Sequence, residues 1–144
     1  MALVRAVRPD PDEQTRIEWI EAGQRELLRH GITTAMDPAV NRPELAAYAT
    51  AARDGRLLLR TVVMPLGSAE VDAAELDRWV AESGLEQVDP AWLRRGPTKL
   101  FLDGGGSLGT ALLSHPWPGT DGYHGNQTLS VDALQAHCAA AARA

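Results

Sequence analysis

The chain has 144 residues, 44% of them hydrophobic and 23% charged, the composition of one soluble globular domain long enough to bury a core. A net charge of −5 and a pI near 5.3, with no stretch that interleaves basic and aromatic side chains, exclude nucleic acid as an expected partner. Met1–Glu13 carries no export or anchoring signal, no segment approaches the roughly 18 apolar residues of a membrane span, and a single cysteine, Cys138, excludes an internal disulfide and fits a reducing compartment, with the cytoplasm as the default.

From Asp12 to His30 the apolar residues Ile17, Ile20, Leu27 and Leu28 recur near whole helical turns, and Gly31 supplies a stop. Ile32–Met36 is short and β-branched and runs into Asp37-Pro38, so it reads as a buried strand followed by a turn. A second helix fits Pro43 to Arg53. Arg56–Met64 is nearly continuous in apolar residues up to Pro65, the pattern of a parallel strand covered on both faces. Glu70 to Ser83 places Ala73, Leu76, Trp79 and Val80 on one side of a third helix. Thr98–Asp103 reads as a third strand, Gly104 to Thr128 as an irregular glycine-rich loop, and Ser130 caps a last helix expected to run to Ala144.

The order α-β-α-β-α-β-loop-α argues for an α/β fold of parallel strands joined by right-handed helical crossovers. Two architectures share it. An open doubly wound sheet could close at this length, whereas a (β/α)8 barrel needs about 250 residues. There is no internal repeat, and the last helix, rich in alanine, reaches the end of the sequence without a glycine or proline stop, which reads as a truncation.

Lys99 is the one lysine beside thirteen arginines. By the two-residue period of a strand it shares a face with Phe101 and Asp103, while Leu100 and Leu102 take the other. In a closed barrel the first set points inward. Desolvation there would favour the neutral amine, which can add carbon dioxide to form a carbamate, and a carbamate offers two hard oxygen ligands to a pair of divalent ions.

Lys99-Leu100-Phe101-Leu102-Asp103-Gly104, continued by Gly105 through Leu113, resembles the fourth-strand signature of the amidohydrolase superfamily in its N-substituted formamide deformylase-like branch (amidohydrolase family 3). Gly31–Pro38 resembles that branch's second strand and Arg60–Pro65 its third, in family order and spacing. The resemblance implies a partial TIM-type barrel spanning residues 1–144, about strands two to four with their helices. It also implies a metal-dependent hydrolase of non-peptide carbon–nitrogen bonds. Lys99 would be the carboxylated, metal-bridging lysine, with a divalent metal, zinc by expectation, in the complete protein.

The other ligands of the family pattern, a His-x-His pair, two further histidines and an aspartate, are absent from the sequence. No catalytic residue is therefore expected in this segment, a metal held by it alone is doubtful, and the chain is expected to be inactive by itself. His30 reads as a helix C-terminal residue and His137 as mid-helix, exposed or packed. Asp103, Gly104, Ser107, His115, Trp117 and His124 are the candidate substrate contacts, since they stand at or beyond a strand's C-terminal end, and Tyr123 could join Trp117 in an apolar wall. The expected partners are a small amide-like substrate and the remaining barrel segments. The alternative is a small self-contained α/β binding domain whose Gly104–Thr110 loop cradles an anion with backbone amides.

Overall fold

A computed structural model describes residues 9–142. In chain order these form α1 (Glu13–Arg29), β1 (Thr34–Val40), α2 (Arg42–Arg53), β2 (Arg60–Pro65), α3 (Ala73–Ser83), β3 (Leu93–Arg95) and α4 (Val131–Ala141), with single 3-10 turns at Leu85–Gln87 and Gly106–Leu108. Each helix begins on a side chain that accepts a backbone amide at its first turn: Asp12 from Thr15, Asn41 from Glu44, Asp72 from Glu75 and Ser130 from Ala133. At α2 the Glu44 carboxylate also accepts from the Asn41 amide, completing a capping box.

The three strands are parallel in the order β1-β2-β3, with Met36 beside Val62 and Thr61 beside Leu93. Consecutive helices pack on one another, α1 on α2 and α2 on α3. A strand order that advances without reversal, with neighbouring helices in contact, puts the helices on one side of the sheet. That is an arc of a (β/α)8 barrel; a doubly wound sheet would reverse its order and cover both faces.

The core lies between sheet and helices. Leu45, Ala47, Ala49 and Ala51 of α2, Val63 of β2, Val80 of α3 and Leu93 of β3 are buried there. Polar groups reach the core only with partners. Gln24 donates to the Thr61 hydroxyl (3.1 Å) and accepts from the Leu58 amide (2.7 Å), which pins α1 to β2. The Tyr48 hydroxyl donates to the Asp37 carboxylate at 2.7 Å, and burial together with that carboxylate pushes the phenol's pKa up.

All three strands have other bounds than expected, and α3 begins at Ala73 instead of Glu70. β1 starts two residues late and runs through Asp37-Pro38 to Val40. It stands at the sheet edge, where a missing proline amide is tolerated, and the ladder shifts between Pro38 and Val40 around Ala39, whose φ of 72° is left-handed. β2 begins at Arg60 instead of Arg56. The third strand is Leu93–Arg95, not Thr98–Asp103. Gly96 makes the last regular bond, its amide to the Val63 carbonyl. Pro97 has no amide to donate, and the chain touches β2 again only where Lys99 bridges Leu66. The last helix ends at Ala141, and residues 1–8 and 143–144 lie outside the described residues. No helix among the described residues is long and apolar enough to cross a membrane.

Leu45, fully buried in the first turn of α2, is the sensitive packing position: Leu45→Ala is expected to lower stability by about 2–5 kcal/mol in urea unfolding. Glu21, hydrogen-bonded by Arg56, has its carboxyl held below the ordinary value of 4.5. Because the folded value is the lower one, the pair's contribution is present above about pH 4.5 and is lost as the pH falls through the depressed value. Arg56→Met is expected to flatten the acid limb of a stability-versus-pH curve and leave its alkaline limb in place.

Candidate functional site

Lys99 follows the last regular pair of β3, at the C-terminal end of the parallel strands. Its amide donates to the Pro65 carbonyl (2.8 Å) and its carbonyl accepts from the Gly67 amide (2.9 Å), so it extends the ladder by one bridge. The faces alternate as a strand requires. Thr98 and Leu100 press their side chains against Gly67, on the side where His137 of α4 also packs. Lys99 and Phe101 take the opposite face, with the lysine Nζ 4.7 Å from the centroid of the Phe101 ring, within the range of a cation–π contact. The lysine is half-buried and the ring half-exposed. Met36, on the same non-helical face of β1, is 59% exposed, so apolar side chains stand open on this face beside the exposed Arg60 and Arg94 and the buried Val62.

From Phe101 onward the chain folds back on itself. The Leu102 carbonyl accepts from the Thr128 amide, the Asn126 carbonyl from Gly104, the Thr110 carbonyl from Asn126, the His124 carbonyl from Leu113 and the Tyr123 carbonyl from Trp117. The result is an irregular two-branched ribbon turning at Trp117–Tyr123. Two of its glycines, Gly104 and Gly125, are required by close approach of the backbone. A Cβ on Gly104 would lie 2.2 Å from the Thr110 carbonyl oxygen, and one on Gly125 would lie 2.0 Å from that of Ala111.

The predicted residues divide accordingly. Asp103 accepts the Leu112 amide at 2.8 Å and forms an antiparallel bridge with Gln127, so it staples the ribbon. Gly104 is the close-packing position just described. Trp117 donates its indole N–H to the Ala111 carbonyl (2.9 Å), and His124 Nδ1 lies 3.1 Å from the Leu113 carbonyl; both are engaged within the loop. Ser107 and His115 are exposed. The anion cradle is reduced to the amides of Gly106 and Ser107, because those of Gly104, Gly105, Leu108, Gly109 and Thr110 all go to acceptors inside the ribbon. Among the described residues no three of His, Cys, Asp and Glu converge to hold a metal ion; Lys99 stands without companion ligands. Two contributors escaped the sequence reading. Thr110, whose hydroxyl accepts from Gly105, and His137, 7% exposed with Nε2 3.0 Å from the Ser68 carbonyl oxygen, are recruited by contacts that no local pattern announces.

The ribbon's dependence on close approach has a direct test. Gly104→Ala is expected to raise the rate of amide exchange across residues 103–128 at least tenfold while leaving that of α2 and β2 within twofold, as measured by hydrogen–deuterium exchange mass spectrometry; equal protection in both regions would contradict the backbone contact.

The pattern of the amidohydrolase family matches residues 1–144. Two solved structures share the fold. One is an uncharacterized metal-dependent hydrolase from Pyrococcus furiosus, 26% identical, with a TM-score of 0.73 over 92% of this chain and 27% of its own. The other, an uncharacterized metal-dependent hydrolase from Pyrococcus horikoshii OT3, is 22% identical, with a TM-score of 0.68 over 91% of this chain and 26% of its own; at that identity it speaks for the fold alone. No curated protein matches the chain. The chain thus spans about a quarter of the length of the hydrolases it resembles. With a family pattern matched from its first residue to its last, on an arc of parallel βα units, the chain belongs to the amidohydrolase family.

Proposed function

We propose that residues 1–144 contribute one arc of the catalytic barrel of a metal-dependent hydrolase acting on non-peptide carbon–nitrogen bonds, in the N-substituted formamide deformylase-like branch. One observation carries the reading: the only lysine of the chain stands at the C-terminal end of the parallel strands, on the face turned away from the helices, where barrels of this kind assemble their sites. Lys99, as its carbamate, is the segment's one ligand to a divalent metal, with zinc the ion of choice. The donors present here do not form a metal site by themselves, so the centre is shared with strands outside the segment and the isolated chain is inactive.

Within this arc each group has a defined task. The Phe101 ring covers one side of the lysine head. Asp103 and Gly104 shape the ribbon. Ser107 and His115, both exposed, meet a small amide-like substrate, with Trp117 and His124 holding the surface that carries them. The outer edge of β1, unpaired among the described residues and flanked by a groove of about 610 Å³ that Trp19, Leu27 and Met36 line with α2's Tyr48, receives the neighbouring barrel strand. The lone exposed Cys138 suits the reducing cytoplasm.

The test is complementation. With zinc and a simple N-substituted formamide, the 144-residue chain is expected to show no turnover above its Lys99→Ala variant, and turnover is expected to appear when the remaining barrel strands are supplied in cis or in trans. Lys99→Ala should then lower the rate by roughly 100-fold or more, at or above the upper range for groups that merely support metal ligands. Full activity of the completed Lys99→Ala barrel would remove the lysine from the centre, and lysine-dependent turnover by the isolated chain would overturn the shared centre.

A further inference from the structure

We infer that His137 and Gly67 form a clamp that positions Lys99, fixing from the helical side of the sheet which way the lysine points on the other. The inference rests on the proposed role of Lys99, but the contacts that carry it are separate from that role. β3 proper ends at Arg95, and beyond the Gly96 amide only two hydrogen bonds tie Lys99 to its neighbour strand, Lys99 N–H to the Pro65 carbonyl and Gly67 N–H to the Lys99 carbonyl. The second depends on where Gly67 lies. Gly67 is enclosed: a Cβ there would meet His137 Cε1 at 2.8 Å, Leu100 Cδ2 at 2.8 Å and Thr98 Cγ2 at 3.2 Å. The next carbonyl, of Ser68, accepts from His137 Nε2 at 3.0 Å.

His137 is the only buried residue of α4 among those described. Half of the rest of that helix is alanine, and only Ala133, Leu134 and Ala140 are even half-buried, so the imidazole is the deepest anchor of α4 at the sheet end, and it bonds the backbone that registers Lys99. The consequence follows from strand geometry. Thr98 and Leu100 are held against Gly67 under the ring, which leaves Lys99 and Phe101 for the opposite face; a slip of one residue would exchange the two sets and carry the ammonium to the helical side. The clamp also connects two otherwise distant parts, since α4 is the element into which the Asp103–Thr128 ribbon leads.

The single lysine makes the test selective. In the full chain labelled with 13C-lysine, the Lys99 ε-methylene gives one signal set, and the nearby Phe101 ring is expected to move it upfield by ring current. Phe101→Leu calibrates that displacement by abolishing it. Gly67→Ala and His137→Ala are each expected to lose at least half of it, whereas His137→Gln, which keeps a donor for the Ser68 carbonyl, should retain more than His137→Ala does. Core methyl signals of Leu45 and Val63 report folding in the same samples. If His137→Ala unfolds the chain, Gly67→Ala decides, because its added methyl meets only side-chain ends. A wild-type displacement in both Gly67→Ala and His137→Ala would overturn the clamp, and so would an undisplaced Lys99 signal in the wild-type chain. The measurement needs neither metal nor turnover, so a catalytically dispensable Lys99 would defeat the proposed function and leave the clamp standing.

Discussion

The register of β2 is the constraint on which the rest of the molecule depends. Among the described residues it is the one strand paired on both sides, to β1 from Thr34 to Val40 and to β3 from Leu93 to Arg95. Its helix-facing side chains, Thr61, Val63 and Pro65, are buried under the helices, and its continuation through Leu66 and Gly67 holds Lys99. Because side chains alternate with a period of two, moving β2 by one residue would expose the core set and at the same time turn the lysine around. Packing and site geometry are thus set by one choice of pairing. Gln24 reinforces that choice from α1, bonding both Thr61 and the Leu58 amide just ahead of the strand.

The two ends of the strands are built differently. Where strands begin, the chain relies on charged and polar pairs at the surface of α1, such as Glu21 with Arg56, and on the Gln24 pin. Beyond the C-terminal ends, the ribbon from Phe101 to Leu129 is held by backbone bonds between its own branches and has few large buried side chains; Leu129, 5% exposed, is the exception. Such a ribbon can change its exposed residues, Ser107 or His115, without disturbing the core. Stability resides in the sheet and its helices, and variation can be confined to the loop, the division expected of barrels with sites at strand ends.

The helices were legible because their signals are local. Asp12, Asn41 and Ser130 each cap within three residues of their own position, and a periodic apolar face needs no distant partner to be recognised; only at α3, which Asp72 caps, did the expected start at Glu70 fall three residues early. The lysine's face was legible for the same reason: whatever Thr98–Asp103 pairs with, the two-residue period keeps Lys99 with Phe101 and apart from Leu100. The pairing itself was not. Leu93–Arg95 is three residues long, two of them exposed arginines, and becomes a strand only because β2 offers it a ladder; Thr98–Asp103 looks like a strand in isolation but follows Pro97 and has little left to pair with. The glycines of 104–106 suggested an irregular or anion-binding loop, whereas the reason for Gly104 lies with Thr110, six residues on and folded back. His137 has no local signature, since its burial is decided 69 residues away at Ser68.

The open face gives these particulars a common sense. Parallel sheets bury both faces, yet here the helices cover one, while Met36 at 59% and Phe101 at 51% exposure present apolar surface on the other. The solved hydrolase from Pyrococcus furiosus that matches 92% of this chain does so with 27% of its own length, so in that protein the corresponding arc has further chain with which to close. The face that lacks cover is the face that carries Lys99. Under the proposed function, the rest of the site comes from the strands that complete the cylinder. What the arc does supply is direction: a backbone bridge to Pro65 and Gly67, an aromatic ring beside the ammonium and a helix locked behind it by one imidazole. Orientation is thus built within the segment, by backbone bonds at Pro65 and Gly67 that need no further strand.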